Sequence, residues 1–203
     1  ADGAAGGEEA GKTVSAAAGG GDRFELLWRF ESPVCEGRNV SCMDWNLAQP
    51  DVLAVGYGDF RFTRQVGQGL VLVWSVKNPT HPLRIYRTEH GATAVAFSAR
   101  SPHLLAVGLY DGSLAVYDVR KEDDQPVLAS AYSGGKHSDC IWEVIWTDRG
   151  GDRASAEVLV TVSADGRVTQ WTMSKGLEYS DLIRLKRAAA AAAATAQRMP
   201  AAD

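Results

Sequence analysis

The 203-residue chain is 45% hydrophobic and 23% charged with a formal net charge of -4, a composition that fills one sizeable core and excludes wholesale disorder. Its mildly acidic balance lacks the clustered basic face that grips a phosphate backbone, and no apolar run approaches the ~20 residues that span a bilayer, so neither nucleic acid nor membrane is an expected partner. The three cysteines, Cys35, Cys42 and Cys140, are too widely spaced for a disulfide framework, and with no signal-peptide pattern at the start they are expected as reduced intracellular thiols.

Residues 1–23 are mostly Gly and Ala with scattered charge, too poor in apolar surface to offset chain entropy, and are assigned as a flexible linker. Phe24-Glu-Leu-Leu-Trp28-Arg-Phe30 follows and reads as an apolar-aromatic strand able to edge another sheet. From there to residue 176 the same parts recur three times. A first strand ends on an aromatic, in Val40 to Trp45, Ala94 to Phe97 and Trp142 to Trp146. A turn then leads into a nearly continuous apolar run, Val52 to Val55, Leu104 to Val107 and Val158 to Val162, which suits strands covered on both faces. Asp111-Gly112 and Asp165-Gly166 then supply tight hairpin turns, and each leads to an aromatic, Tyr117 or Trp171, with Trp74 in the same register after Gly69.

Repetition of a four-strand unit at roughly 40–55 residues is the pattern of a β-propeller blade. The fold class expected is all-β: a partial propeller of about three blades spanning 24–176. Because a closed ring takes about 4–8 blades and the chain opens on Ala1, a longer parent polypeptide is expected. Between Gly56 and Gly69 the first blade carries an insertion whose Tyr57, Phe60, Arg61, Phe62 and Arg64 suit a projecting partner-contact loop. Residues 177–203 leave the pattern and run into alanines 188–194, expected as an Ala-rich helix or a disordered tail.

The chemistry-bearing residues point inward. His137 precedes the first strand of the third blade and is placed to reach Asp165 and Trp171, with Ser163 between them, because a buried aspartate needs partners. His90, Asp111 and Tyr117 hold the corresponding places in the second blade. This is a structural network rather than a reactive one: His137-Ser138-Asp139 has hydrolase-triad composition, but adjacency in sequence does not make that constellation. Gly67-Gln-Gly69 is not a phosphate loop, and His81, His90, His103 and His137 lack metal-ligand spacing, so no catalytic residue, metal or cofactor is expected.

Gly135-Lys-His-Ser-Asp139 and Ser163-Ala-Asp-Gly-Arg-Val-Thr-Gln-Trp171 resemble WD40 repeats. With Leu27-Trp-Arg-Phe30, Ala54-Val-Gly-Tyr-Gly58, the insertion before Gly69, Ser75-Val-Lys-Asn-Pro79, Val107-Gly-Leu-Tyr-Asp-Gly112 and Asp181-Leu-Ile-Arg-Leu-Lys186, the chain resembles the WD40 region of dynein intermediate chains, axonemal outer-arm class above all. Trp74 followed by Ser75 and Tyr117 followed by Asp118 depart from the repeat's usual ending. The resemblance implies a non-catalytic scaffold subunit of a dynein motor complex. It would bind a dynein heavy chain and a second intermediate chain within a microtubule-associated assembly, and support movement in the ciliary axoneme. The alternatives are a cytoplasmic dynein intermediate chain, which is similar in layout, and a general WD40 adaptor for signalling or ubiquitin ligation.

Overall fold

The computed structural model describes residues 24–58, 68–130, 134–148 and 156–185. Within them the apolar runs become twelve strands in three four-stranded antiparallel sheets. Blade 1 is β1 (Asn39–Trp45), β2 (Val52–Gly58), β3 (Gly69–Ser75) and β4 (Arg84–Thr88). Blade 2 is β5 (Ala92–Phe97), β6 (Leu104–Leu109), β7 (Leu114–Asp118) and β8 (Leu128–Ala129). Blade 3 is β9 (Ile141–Asp148), β10 (Glu157–Ser163), β11 (Arg167–Thr172) and β12 (Glu178–Arg184). Each sheet is a meander in which consecutive strands pair, so no strand crosses over another within a sheet. Gly112 and Gly166 both take φ of +83° in the Asp-Gly turns, a conformation that side chains with a Cβ adopt at a steric cost.

Alternation along the strands sends residues to both faces, and both faces of blade 2 are filled. One core layer joins Val52, Ala54, Val71, Val73 and Tyr86 of blade 1 to Val95, Leu105, Val107 and Tyr117 of blade 2. The next joins Ala106, Leu114 and Val116 of blade 2 to Ile141, Val144, Leu159 and Trp171 of blade 3. At roughly 1.5–3 kcal/mol for each fully buried large aliphatic or aromatic side chain, these two layers are the main cohesive force between the sheets. Polar ties back them up on the innermost strands. Asn46 Nδ2 donates to Pro102 O at 2.7 Å, the Phe97 amide donates to Asp44 Oδ2 at 2.7 Å, and Trp146 Nε1 donates to Ala96 O at 2.9 Å.

The structure changes three expectations. Residues 24–32 form no strand; Phe30 instead packs on Trp74, ring centroids 5.3 Å apart, and with Val34 and Cys35 covers the face of blade 1 that points away from blade 2. Ser32 caps the one-turn 3-10 helix Pro33–Cys35 by accepting from the Val34 amide. The propeller does not stop at 176, since Glu178–Arg184 is β12 and pairs along β11. An unpaired β11 edge is satisfied by that ladder, and tertiary pairing overrides local propensity. Two-sided burial of the central strand holds in blades 1 and 2, whereas in blade 3 Val162 is exposed, because the far side of that sheet has no neighbour among the described residues. The linker at 1–23 and the alanine run lie outside the described residues.

Candidate functional site

The polar residues singled out in the third blade do converge, through a residue the sequence reading passed over. His137 enters from the segment before β9, Asp165 sits in the β10–β11 turn, Thr161 is central on β10 and Trp171 is opposite on β11. His137 Nδ1 lies 3.0 Å from Asp165 Oδ2, His137 Nε2 lies 2.8 Å from Thr161 Oγ1, and Trp171 Nε1 donates to that same hydroxyl at 2.8 Å. The protons can be assigned. An ionised Asp165 accepts from Nδ1–H of a neutral imidazole; Nε2 then accepts from the Thr161 hydroxyl, which in turn accepts from the indole. The imidazole and indole protons each meet one acceptor, while the Thr161 hydroxyl proton faces a second, longer acceptor, Thr169 O, at 3.3 Å.

Ser163, expected between histidine and tryptophan, is not the relay. Its Oγ donates to Asp139 O at 2.9 Å and accepts from the Asp165 amide at 3.2 Å, shaping the turn instead. The reason is strand parity: residues 161 and 163 share a face, but it is Thr161 that lies one pair step from Trp171, through the Leu159–Trp171 and Thr161–Thr169 register.

Electrostatics agree with this assignment. Burial pushes the His137 imidazole below its ordinary value, and the Asp165 partnership offsets only part of that. Burial alone would raise Asp165, but the Arg167 amide, the Ser138 amide and His137 outweigh it and hold the carboxyl low. A second anchor stands beside it: Asp181 accepts from the Arg167 guanidinium at 2.8 Å, from Thr169 Oγ1 at 3.0 Å and from Arg184 at 2.6 Å, and the two guanidiniums, Arg167 foremost, keep its carboxyl far below the usual carboxylate range. The order Asp, His, hydroxyl matches a hydrolase triad, yet the Thr161 hydroxyl is 0% exposed and already accepts from an indole. A nucleophile must meet its substrate. The cluster fastens the hairpin and the entering chain of blade 3.

In blade 2 the corresponding residues occupy the same places without closing a network. His90 Nε2 stands 3.6 Å from Asp111 Oδ2, while the carboxylate is taken by Lys136 Nζ at 2.6 Å and Ser113 Oγ at 2.7 Å. Tyr117 stacks on Tyr86 at 4.3 Å. Register explains the difference, for Val107 stands where Thr161 stands in blade 3. In blade 1 that place is held by Val55, and Trp74 Nε1 is buried with no hydrogen-bond partner among the described residues. Tyr57 itself is a correction: it belongs to β2 and is buried in the blade 1 core, because strand pairing with Leu70 continues past Gly56. Phe60, Arg61, Phe62 and Arg64 lie outside the described residues. Among the described residues no cluster of His, Cys, Asp and Glu is fit to hold a metal, and no helix is long and apolar enough to cross a membrane.

No family model matches the chain. Individual proteins do. It is 48% identical over 172 residues to dynein axonemal intermediate chain 4 of Homo sapiens, covering 83% of this chain and 20% of the relative. It is 40% identical over 149 residues to the 78 kDa intermediate chain of the flagellar outer arm dynein of Chlamydomonas reinhardtii, covering 73% of this chain and 21% of the relative. To dynein axonemal intermediate chain 1 of Bos taurus it is 35% identical over 161 residues, covering 79% and 22%. The chain thus spans about a fifth of the length of the curated relatives it matches.

Proposed function

This chain belongs with the axonemal dynein intermediate chains across its bladed region, and on that premise we propose that it is part of a non-catalytic scaffold subunit of a ciliary dynein. The propeller holds a dynein heavy chain and a second intermediate chain, and ATP hydrolysis takes place on the heavy chain. The subunit works in the axoneme, within the microtubule-bound assembly, and supports ciliary movement. Identity of 48% across the blades to a protein named as an axonemal intermediate chain is the observation that carries this reading. Stacked repeats that spend their polar groups on internal ties leave outer surfaces for other proteins, which is consistent with it.

The decisive test is recovery of the full-length tagged protein from ciliated cells. We expect it in the salt extract of isolated axonemes, with a dynein heavy chain in the same purified complex. Recovery in a soluble ligase or signalling complex, with none in axonemes, would reject the assignment.

A further inference from the structure

At their inner ends the two described junctions are fastened alike. Ser41 Oγ donates to Ala92 O at 2.6 Å, and Thr93 Oγ1 donates to Ile141 O, in each case the first residue of the following inner strand. At the rim they differ. Val73 pairs with Arg84 on the outer strand of blade 1, whereas Val116, its counterpart in blade 2, pairs with Leu128. Two residues on, Val71 pairs with Tyr86, while the amide of its counterpart Leu114 donates to Ser130 Oγ. Between blades 1 and 2 both outer side chains close the junction. Arg84 Nε donates to Val119 O at 2.9 Å and Nη2 to Arg120 O at 3.3 Å, and the buried Tyr86 ring stacks on Tyr117. Between blades 2 and 3 an aliphatic chain and a small hydroxyl stand in those places, on an outer strand of two residues against five in blade 1. The turn that faces them is shorter as well, residues 173–177 where blade 2 has 119–127.

The result is a cleft of about 610 Å³ at the rim, walled by Val127, Leu128 and Ala129 on one side and by Leu177, Glu178 and Tyr179 on the other. Its walls are largely apolar and its mouth is anionic. Arg120 is neutralised by Asp118 at 2.7 Å, which leaves the exposed Glu122, Asp123, Asp124 and Glu178 against Lys121 and Lys175 on the two flanking turns. We propose that this cleft docks an extended basic segment of a partner protein, with an arginine in the place that Arg84 fills at the neighbouring junction. The aliphatic stem of that arginine lies along Leu128, Leu177 and Tyr179, and its guanidinium meets the Glu178 carboxylate and the start of the 173–177 turn, where Met173 and Ser174 correspond to Val119 and Arg120. Arginine suits the place better than lysine because its planar fork serves two oxygens at once, as Arg84 does. A second copy of this chain is not the occupant, since its Arg84 is already held inside its own stack. The site is formed by two described sheets alone and stands whether or not the chain serves a dynein.

Fluorescence anisotropy with the full-length polypeptide tests this, the probe being a labelled peptide Leu-Arg-Ile-Tyr-Arg-Thr that copies residues 83–88. We expect saturable binding that weakens roughly tenfold or more when the first arginine of the peptide is replaced by glutamine, the loss that a charge-assisted hydrogen-bonding group entails. Glu178→Gln, an exposed change, should weaken it roughly threefold. Leu128→Arg supplies a guanidinium from within, as blade 1 does, and should abolish binding while the thermal midpoint holds or rises. In the cells that make the protein, a photoreactive residue in place of Lys175 should crosslink to an arginine-containing basic segment of another polypeptide, identified by sequencing the crosslinked peptide. Absence of saturable binding, or binding indifferent to the arginine replacement, overturns the proposal whether or not Leu128→Arg folds. A crosslink to this same polypeptide, to a second copy, or to an uncharged apolar segment overturns it too.

Discussion

One hydroxyl decides whether a blade's polar network closes. Thr161 links the Trp171 indole to the His137 imidazole, and valines at the matching places in the other blades leave Trp74 Nε1 without a partner among the described residues and His90 only loosely engaged. Thr161→Val should therefore cost about 1–3 kcal/mol in urea unfolding, because it strands two buried polar atoms while preserving shape. The same cluster sets a pH response. His137 has a depressed folded-state value, so as pH falls below about 6.5 the unfolded chain takes up the proton first, and stability declines until the native imidazole is also protonated. Asp165 and Asp181, also depressed, add stability that is fully present above about pH 4 and is lost as pH falls through their native values. Unfolding midpoints recorded from pH 7.5 to 5 should fall through the histidine window, and His137→Gln should flatten that part of the curve. The Asp-Gly turns were legible in the chain from local chemistry, and the His137–Asp165 pairing from the order of parts in the repeat. Thr161 was not: a threonine inside a valine-rich strand looks like one more β-branched residue until its register with Trp171 is known.

Strands and junctions show where periodicity informs and where it stops. The apolar runs marked β2, β6 and β10 to within three residues at each end, because largely buried strands write a continuous hydrophobic signature. The outer strand β12 carries no such mark. Most of its side chains are exposed, so its sequence resembles a tail, and only the free edge of β11 and the Arg167–Asp181 pair make it a strand. Phe24 to Phe30 is the converse case, a strand-like pattern that lacks a sheet edge to join among the described residues and spends Phe30 on Trp74 instead. Close approach at the junctions is equally invisible to periodicity. Gly108→Val puts side-chain atoms inside van der Waals distance of Ile141, so we expect a loss of about 2–4 kcal/mol and early exposure of blade 3 in limited proteolysis.

At the scale of the whole molecule the two ends of the stack differ. Blade 1 presents a covered face, with Phe30 against Trp74, and blade 3 an open one with Trp142, Ile145 and Val162 exposed. Phe30→Ala should lower stability by about 1–3 kcal/mol, less than for a fully enclosed phenylalanine, and should shift Trp74 emission to the red as water reaches the indole. The fasteners between sheets have one further property. Ser41, Thr93, Asn46 and Trp146 all reach a main-chain carbonyl on the adjoining sheet rather than a side chain. A carbonyl is present whatever amino acid carries it, so positions 92, 96, 102 and 141 can vary without removing the acceptor, whereas the Ser98–Glu157 tie between blades 2 and 3 needs both side chains. Units ending in Trp74, Tyr117 and Trp171 can thus share one geometry while offering chemically distinct exteriors, and a single scaffold can evolve a new binding surface one sheet at a time.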